Sequence, residues 1–186
     1  MHQVRRYGWI PAAISVSEDG ARAFARRGLG VIRMGDEAIL EVSRFSLNNT
    51  SLTEVRHAHQ RVRKAGYTLK ICRHRELSPE QLHEVENNVN AWRHGKVERG
   101  FSMALNRLSD PADDRNLLVS AHDSAGTMVA LLSFVPWGRT GISLDVMRRS
   151  PDSPNGIVEY MVAQLMEDAP DYGITRVSLN FAMFRH

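Results

Sequence analysis

The stretch Ser143-Leu144-Asp145-Val146-Met147-Arg148-Arg149 sets one carboxylate and two guanidiniums at the end of an otherwise apolar run, just ahead of a polar loop and a helix start. Open α/β folds hold ligands at such strand ends. A carboxylate there can align an attacking hydroxyl or accept its proton, while arginine and helix-terminal amides hold phosphate or developing negative charge. The same residues could instead form a surface ion pair between Asp145 and Arg148, which is common at strand ends. Residues three apart on a regular strand point to opposite faces. Asp145 and Arg148 can therefore share a site only if the strand bulges or ends between them.

A second concentration of charge lies upstream. Arg56, Arg61, Arg63, Lys64, Lys70, Arg73 and Arg75 accumulate between residues 56 and 75 with no acidic residue among them. The resulting field attracts phosphate groups, so nucleic acid and anionic lipid headgroups are the natural partners. His57, His59, His74, His83, His94 and His122 lack metal-ligand spacing with acidic partners and are expected to be surface or helix residues rather than ligands; no metal is expected. Trp92 and Trp137 suit either half-buried packing or the rim of a lipid-facing entrance. Cys72, the only cysteine, has no disulfide partner and fits a core position in a strand.

These groups need elements to position them. Thr53 to Ala65 places Val55, Ala58, Val62 and Ala65 at helical spacing, with Arg56, His59, Gln60, Arg63 and Lys64 on the other faces. Ser78-Pro79-Glu80-Gln81 combines a serine cap, a first-turn proline and a capping-box glutamine, and predicts a helix reaching Trp92. Strands are predicted at Trp9 to Val16, Val31 to Met34, Glu37 to Val42, Tyr67 to Cys72, Phe101 to Leu105, Thr140 to Arg148 and Ile174 to Phe181. Helices are expected at Ala21 to Arg27 and Ile157 to Asp168, and a hairpin joins Leu117 to Ala121 with Met128 to Val135.

The order in the second half, strand, helix, strand-like segment, hairpin, strand, helix, strand, matches an acetyltransferase-like fold. The expected class is α/β (α+β), a tandem acetyltransferase-like (GNAT) fold with a partial first repeat and an incomplete second repeat around mixed sheets. Residues 1–66 would carry the end of the first repeat with its basic linking helix, and 67–186 the second. Ordinary acetyl-coenzyme A enzymes of this fold wrap the pyrophosphate with a glycine-rich arginine loop. Here the loop is Arg148-Arg149-Ser150-Pro151-Asp152-Ser153-Pro154-Asn155-Gly156, where two prolines remove donors and Asp152 repels phosphate, so no coenzyme A is expected.

At 186 residues with 42% hydrophobic and 24% charged side chains, the chain has the balance of a soluble globular protein. Its net charge of +3 is modest. No apolar run approaches the roughly 20 residues that cross a bilayer, and the N-terminal residues lack a signal-peptide pattern. A cytoplasmic location is expected.

Several separated motifs resemble the bacterial phosphatidylglycerol lysyltransferases, particularly the actinobacterial members. They are Trp92 followed by Gly95-Lys96-Val97-Glu98-Arg99-Gly100-Phe101-Ser102, then Ser143 to Arg149, Pro151 to Gly156, and Ser178-Leu179-Asn180-Phe181-Ala182-Met183. Gly35 to Ile39 and Arg63 to Tyr67 fit as well, so the resemblance covers nearly the whole chain. It implies a synthase domain that moves a lysyl group from aminoacyl-tRNA to the glycerol hydroxyl of phosphatidylglycerol, an anionic phospholipid, at the cytoplasmic face of the cell membrane in the full-length family protein.

The family's active aspartate and arginine fall on Asp145 and Arg148. Substrate contact is expected from Arg56, Arg63, Lys64, Lys96, Glu98, Ser102, Arg149 and Asn155. Family domains extend beyond both ends of this chain, so weak or no activity is expected from it alone. Transfer to a peptide or other amine, or a non-catalytic basic phosphate-binding module, are the competing readings.

Overall fold

The structure of the chain, a computed structural model, describes residues 6–14, 16–33, 35–93, 108 and 110–183. The chain divides into two compact units, Met1–Asp36 with Phe181–His186, and Glu37–Asn180.

The larger unit is organised by an antiparallel meander. Strands β3 (Leu117–His122), β4 (Met128–Trp137) and β5 (Gly141–Arg149) are apolar runs separated by tight turns, and β2 (Thr68–Arg73) pairs antiparallel with β3. Helix α4 (Ile157–Asp168) then carries the chain back, so that β6 (Arg176–Met183) pairs in parallel with β5, as parallel neighbours require a crossover. With β1 (Gly35–Glu41) beside β6, the six-stranded mixed sheet has the order β1-β6-β5-β4-β3-β2. The architecture is acetyltransferase-like.

Both faces of the sheet are covered, which is why the central strands are continuous apolar runs rather than alternating ones. On one face Leu117, Val119, Leu132, Phe134 and Ile142 pack with Val62 of helix α2 (Thr53–Lys64) and Ile157, Met161 and Leu165 of α4. On the other, Cys72, Leu118, Leu131 and Val146 pack with Val89 of helix α3 (Pro79–Ala91). Each fully buried large side chain contributes about 1.5–3 kcal/mol relative to exposure. The capping box forms as expected: Gln81 N donates to Ser78 Oγ at 3.3 Å and Ser78 N to Gln81 Oε1 at 2.9 Å.

Several expectations need correction. Residues 9–14 form no strand; Trp9 and Ile10 are 65% and 92% exposed, and β-branched composition makes no strand without a partner ladder. Val31 to Arg33 likewise stand outside any strand, and β1 begins at Gly35. The first helix, labelled here αN (Glu18–Ala25), starts three residues early because Ser17 Oγ accepts from Gly20 N and caps it. His59 and His74 are buried, not superficial: His59 Nε2 meets Gln164 Oε1 at 3.2 Å, and His74 Nε2 lies 3.5 Å from Ser133 Oγ. The expected strand Phe101 to Leu105 lies outside the described residues.

Candidate functional site

The bulge that the sequence demanded is present in β5. Ser133 of β4 pairs with Val146 and Phe134 with Leu144, so Asp145 is an extra residue with no opposite number. The alternation reverses there. Leu144 packs with the α2 and α4 side of the sheet while Val146 packs with the α3 side, although residues two apart on a regular strand share a face.

Asp145 is buried, at 8% exposure. Arg148 pairs opposite Leu131 and lies on the α3 side, where it lines a recess of about 50 Å³ with Glu86, Val89, Asn90, Arg93 and Val146; its Nη1 donates to Met147 O at 2.9 Å. Arg149 is exposed, and its Nη1 reaches Ser153 Oγ at 3.4 Å. Arg148 and Arg149 are thus held by different neighbours.

The sheet also comes apart beside this bulge. The parallel register of β5 and β6 covers only Gly141 with Arg176, Ile142 with Val177, and Ser143 with Ser178. Two residues on, Asn180 takes φ +73°, a left-handed conformation that asparagine tolerates better than most residues. Its Nδ2 donates to Leu144 O at 3.0 Å and its backbone N to Ser178 Oγ at 3.0 Å, while Ser178 Oγ donates to Glu37 Oε1 at 2.6 Å. Side chains replace the ladder where it stops, leaving Asp145 next to an interrupted pairing.

The loop into α4 is folded onto itself. Asp152 N donates to Ser150 Oγ, Ser153 N and Oγ both donate to Ser150 O, and Pro151 and Pro154 have no N–H. Gly156 sits at φ +91°, and a Cβ there would lie 2.8 Å from Ala58 Cβ, so the loop's end is pressed against α2. Arg61 Nη2 reinforces this by donating to Asn155 O at 3.2 Å.

Helix α2 presents a cleft of about 500 Å³, lined by Arg56, His59, Gln60, Arg63, Phe45 and Met166 among others. Arg56 is partly engaged by the preceding connector, donating to Leu47 O at 3.1 Å and Thr53 Oγ1 at 3.3 Å. Arg63 and Lys64 are exposed. Lys96, Glu98 and Ser102 lie outside the described residues. Trp92 packs half-buried against the α3 cluster, and Trp137 lies under the Arg176 guanidinium, 4.3 Å from its ring centroid.

Asn180, Ser178, Glu37 and Arg61 were not singled out from the sequence as site residues. An asparagine two residues after a serine near a strand end was the available signal for Asn180, because both types favour local side-chain to backbone bonds.

Comparison with known proteins places the chain in a family. The family profile described as phosphatidylglycerol lysyltransferase, C-terminal, matches residues 1–186. The lysylphosphatidylglycerol biosynthesis bifunctional protein LysX of Mycobacterium avium is 54% identical over 179 residues, covering 96% of this chain and 15% of that protein. The LysX protein of Nocardia farcinica is 49% identical over 180 residues, covering 97% and 16%. The chain therefore spans about one-sixth of the length of these curated relatives. Among solved structures, L-PGS from Bacillus licheniformis superposes with a TM-score of 0.85 at 22% identity, covering all of this chain and 56% of that one. A putative lysylphosphatidylglycerol synthetase C-terminal domain from Agrobacterium fabrum gives 0.84 at 19%, covering 99% and 58%. The chain belongs to the phosphatidylglycerol lysyltransferase C-terminal domain family.

Proposed function

We propose that this domain transfers a lysyl group from lysyl-tRNA to a glycerol hydroxyl of phosphatidylglycerol, with Asp145 and Arg148 at the reacting centre. The observation that carries the reading is the β5 bulge at Asp145: it buries a carboxylate beside an interrupted strand pairing, in the segment that also holds the two arginines. An aminoacyl ester is already activated, so positioning and charge stabilisation are the main demands. The lipid hydroxyl oxygen attacks the ester carbonyl carbon while its proton passes to the Asp145 carboxylate. Arg148 stabilises the tetrahedral oxyanion. The intermediate then collapses, breaking the bond to the ribose oxygen of the tRNA, which takes up the proton from Asp145.

The self-bonded Ser150 to Gly156 loop supports an acyl donor other than coenzyme A, since its amides at 152 and 153 are occupied within the loop. Arg149 and Asn155 belong at the same end, close to the donor's phosphate groups. The α2 cleft, lined by Arg56 and Arg63, with Lys64 exposed on the same helix, suits the lipid phosphate at a membrane surface. The test is incubation of the native gene product with labelled lysyl-tRNA and phosphatidylglycerol vesicles, followed by lipid extraction. Label in the lipid fraction is expected. Label released only as free lysine, or found on peptide or another amine, would reject the reading.

A further inference from the structure

At the end of the sheet where β5 begins, four residues before Asp145, four guanidiniums from three connections face one recess of about 190 Å³. Arg73 and Arg75 come from the end of β2 and the turn after it, Arg115 from the turn before β3, and Arg139 from the β4–β5 turn; Thr140 and Tyr172 complete the wall, and no carboxylate lines it. Among the described residues none of the four arginines forms an ion pair. Like charges gathered without counter-charges repel one another, which folding alone gives no reason to tolerate.

The walls are firmly built. Arg73 Nη1 donates to Arg115 O at 2.9 Å, and Tyr172 OH to Ile71 O at 3.2 Å. The β4–β5 turn is closed tightly enough that a Cβ on Gly141 would lie 2.6 Å from Trp137 O. Arg176, paired with Gly141 across the sheet, adds a further cation nearby.

We propose that this arginine recess binds the phosphodiester backbone of RNA, at a site separate from the mid-strand bulge at Asp145. Arginine's planar fork grips phosphate oxygens in pairs, and all the lining cations are arginines. The surface is concave and carries none of the large exposed apolar side chains that would enter a bilayer; those lie at residues 7–39 and at Met147. Gly141 to Asp145 spans roughly 13 Å at the rise of a β-strand. An RNA backbone held at the recess could therefore present its acylated terminus toward Asp145. That last step rests on the transfer reading; the anion site does not.

The experiment measures binding of an uncharged, fluorescein-labelled lysine tRNA transcript across a salt series. It compares the wild-type protein, Arg75→Ala/Arg139→Ala, Arg75→Lys/Arg139→Lys, and an Arg26→Ala/Arg27→Ala control. The alanine pair should weaken RNA binding about tenfold or more and make the salt dependence shallower by roughly 1.5 in log-log slope. The lysine pair, which keeps the charge and hence the fold, should lose less, and the control should match wild type. Wild-type affinity and slope in the alanine pair would overturn the proposal. So would a loss confined to vesicles of phosphatidylcholine and phosphatidylglycerol in equal parts. RNA loss in the alanine pair, alongside a wild-type protein that makes no lysyl lipid, would keep the recess and reject the transfer reading.

Discussion

The two ends of β5 carry similar charges on differently built backbone. At the Gly141 end the strand pairs in register on both sides, with β4 and β6, and its arginines stand out from neighbouring turns around an open recess. Over the Arg149 half, which begins at the mid-strand bulge, the register with β4 has slipped by one residue, the register with β6 has ended at Ser143, and the Asp145 carboxylate is buried. A regular end supplies only charge density, which suits holding a polyanion. The irregular half supplies a bulged backbone and a buried acid, the features on which the proposed proton transfer rests. The difference teaches that arginine content alone does not tell the two halves of β5 apart; the break in strand register does.

That contrast can be strained selectively. Gly156→Ala should cost about 2–4 kcal/mol, combining left-handed backbone strain with a Cβ pressed to 2.8 Å from Ala58 Cβ. Denaturant unfolding would measure it. Because the substitution pushes the loop off α2, lysyl transfer should fall while RNA affinity at the Gly141 end stays within twofold. Equal damage to both would erase the distinction between the ends.

A smaller effect is expected at Asn180. Asn180→Ala should destabilise by about 1–2 kcal/mol through the φ of +73°, and it loses the bond to Leu144 O. Asn180→Gly should recover most of the stability in thermal melts without recovering that bond, so transfer should remain impaired. Full recovery of transfer in the glycine variant would show that backbone conformation, not the side-chain bond, sets the gap between the strands.

The smallest effect is in pH dependence. Burial holds the His74 imidazole below its ordinary pKa of 6.5, with Asp113 pulling weakly the other way. Below that pH the unfolded chain binds more protons than the folded one, so stability should be full above about pH 6.5 and fall as the pH drops beneath it. His74→Gln should flatten that slope in melting curves recorded across the range. His74 meets Ser133, whose strand partner flanks the bulge, and sits between the recess arginines Arg73 and Arg75.

Much of the scaffold was legible because local chemistry and tertiary demand coincide. Ser78-Pro79-Gln81 caps α3 in the sequence and in space, and Ile157 to Asp168 forms α4 over the expected residues. Asp145 and Arg148 stand out from the sequence as a strand-end pair that could share a site only across an irregularity; β5 does carry a bulge, but Asp145 lies midway along the strand rather than at its end. Where that irregularity falls was not legible, since it depends on how Ser133 and Phe134 register against β5. His59 and His74 are expected from the sequence as surface or helix residues; both lie in helical elements, but their burial was not legible because their partners, Gln164 and Ser133, are distant in the chain. Trp9 to Val16 read as a strand from composition, which cannot reveal the absence of a ladder. The arginine recess was half legible: Arg73 and Arg75 belonged to the basic stretch, but Arg115 and Arg139 join them only through the sheet's order.

The account stands or falls on Asp145. The direct measurement is lysyl transfer to phosphatidylglycerol by the native gene product carrying Asp145→Asn, with RNA affinity measured on the same preparation. Loss of transfer by about a hundredfold or more, with RNA affinity within twofold of wild type, is the predicted result. Transfer at the wild-type rate would contradict it and leave the bulge as a feature of packing alone.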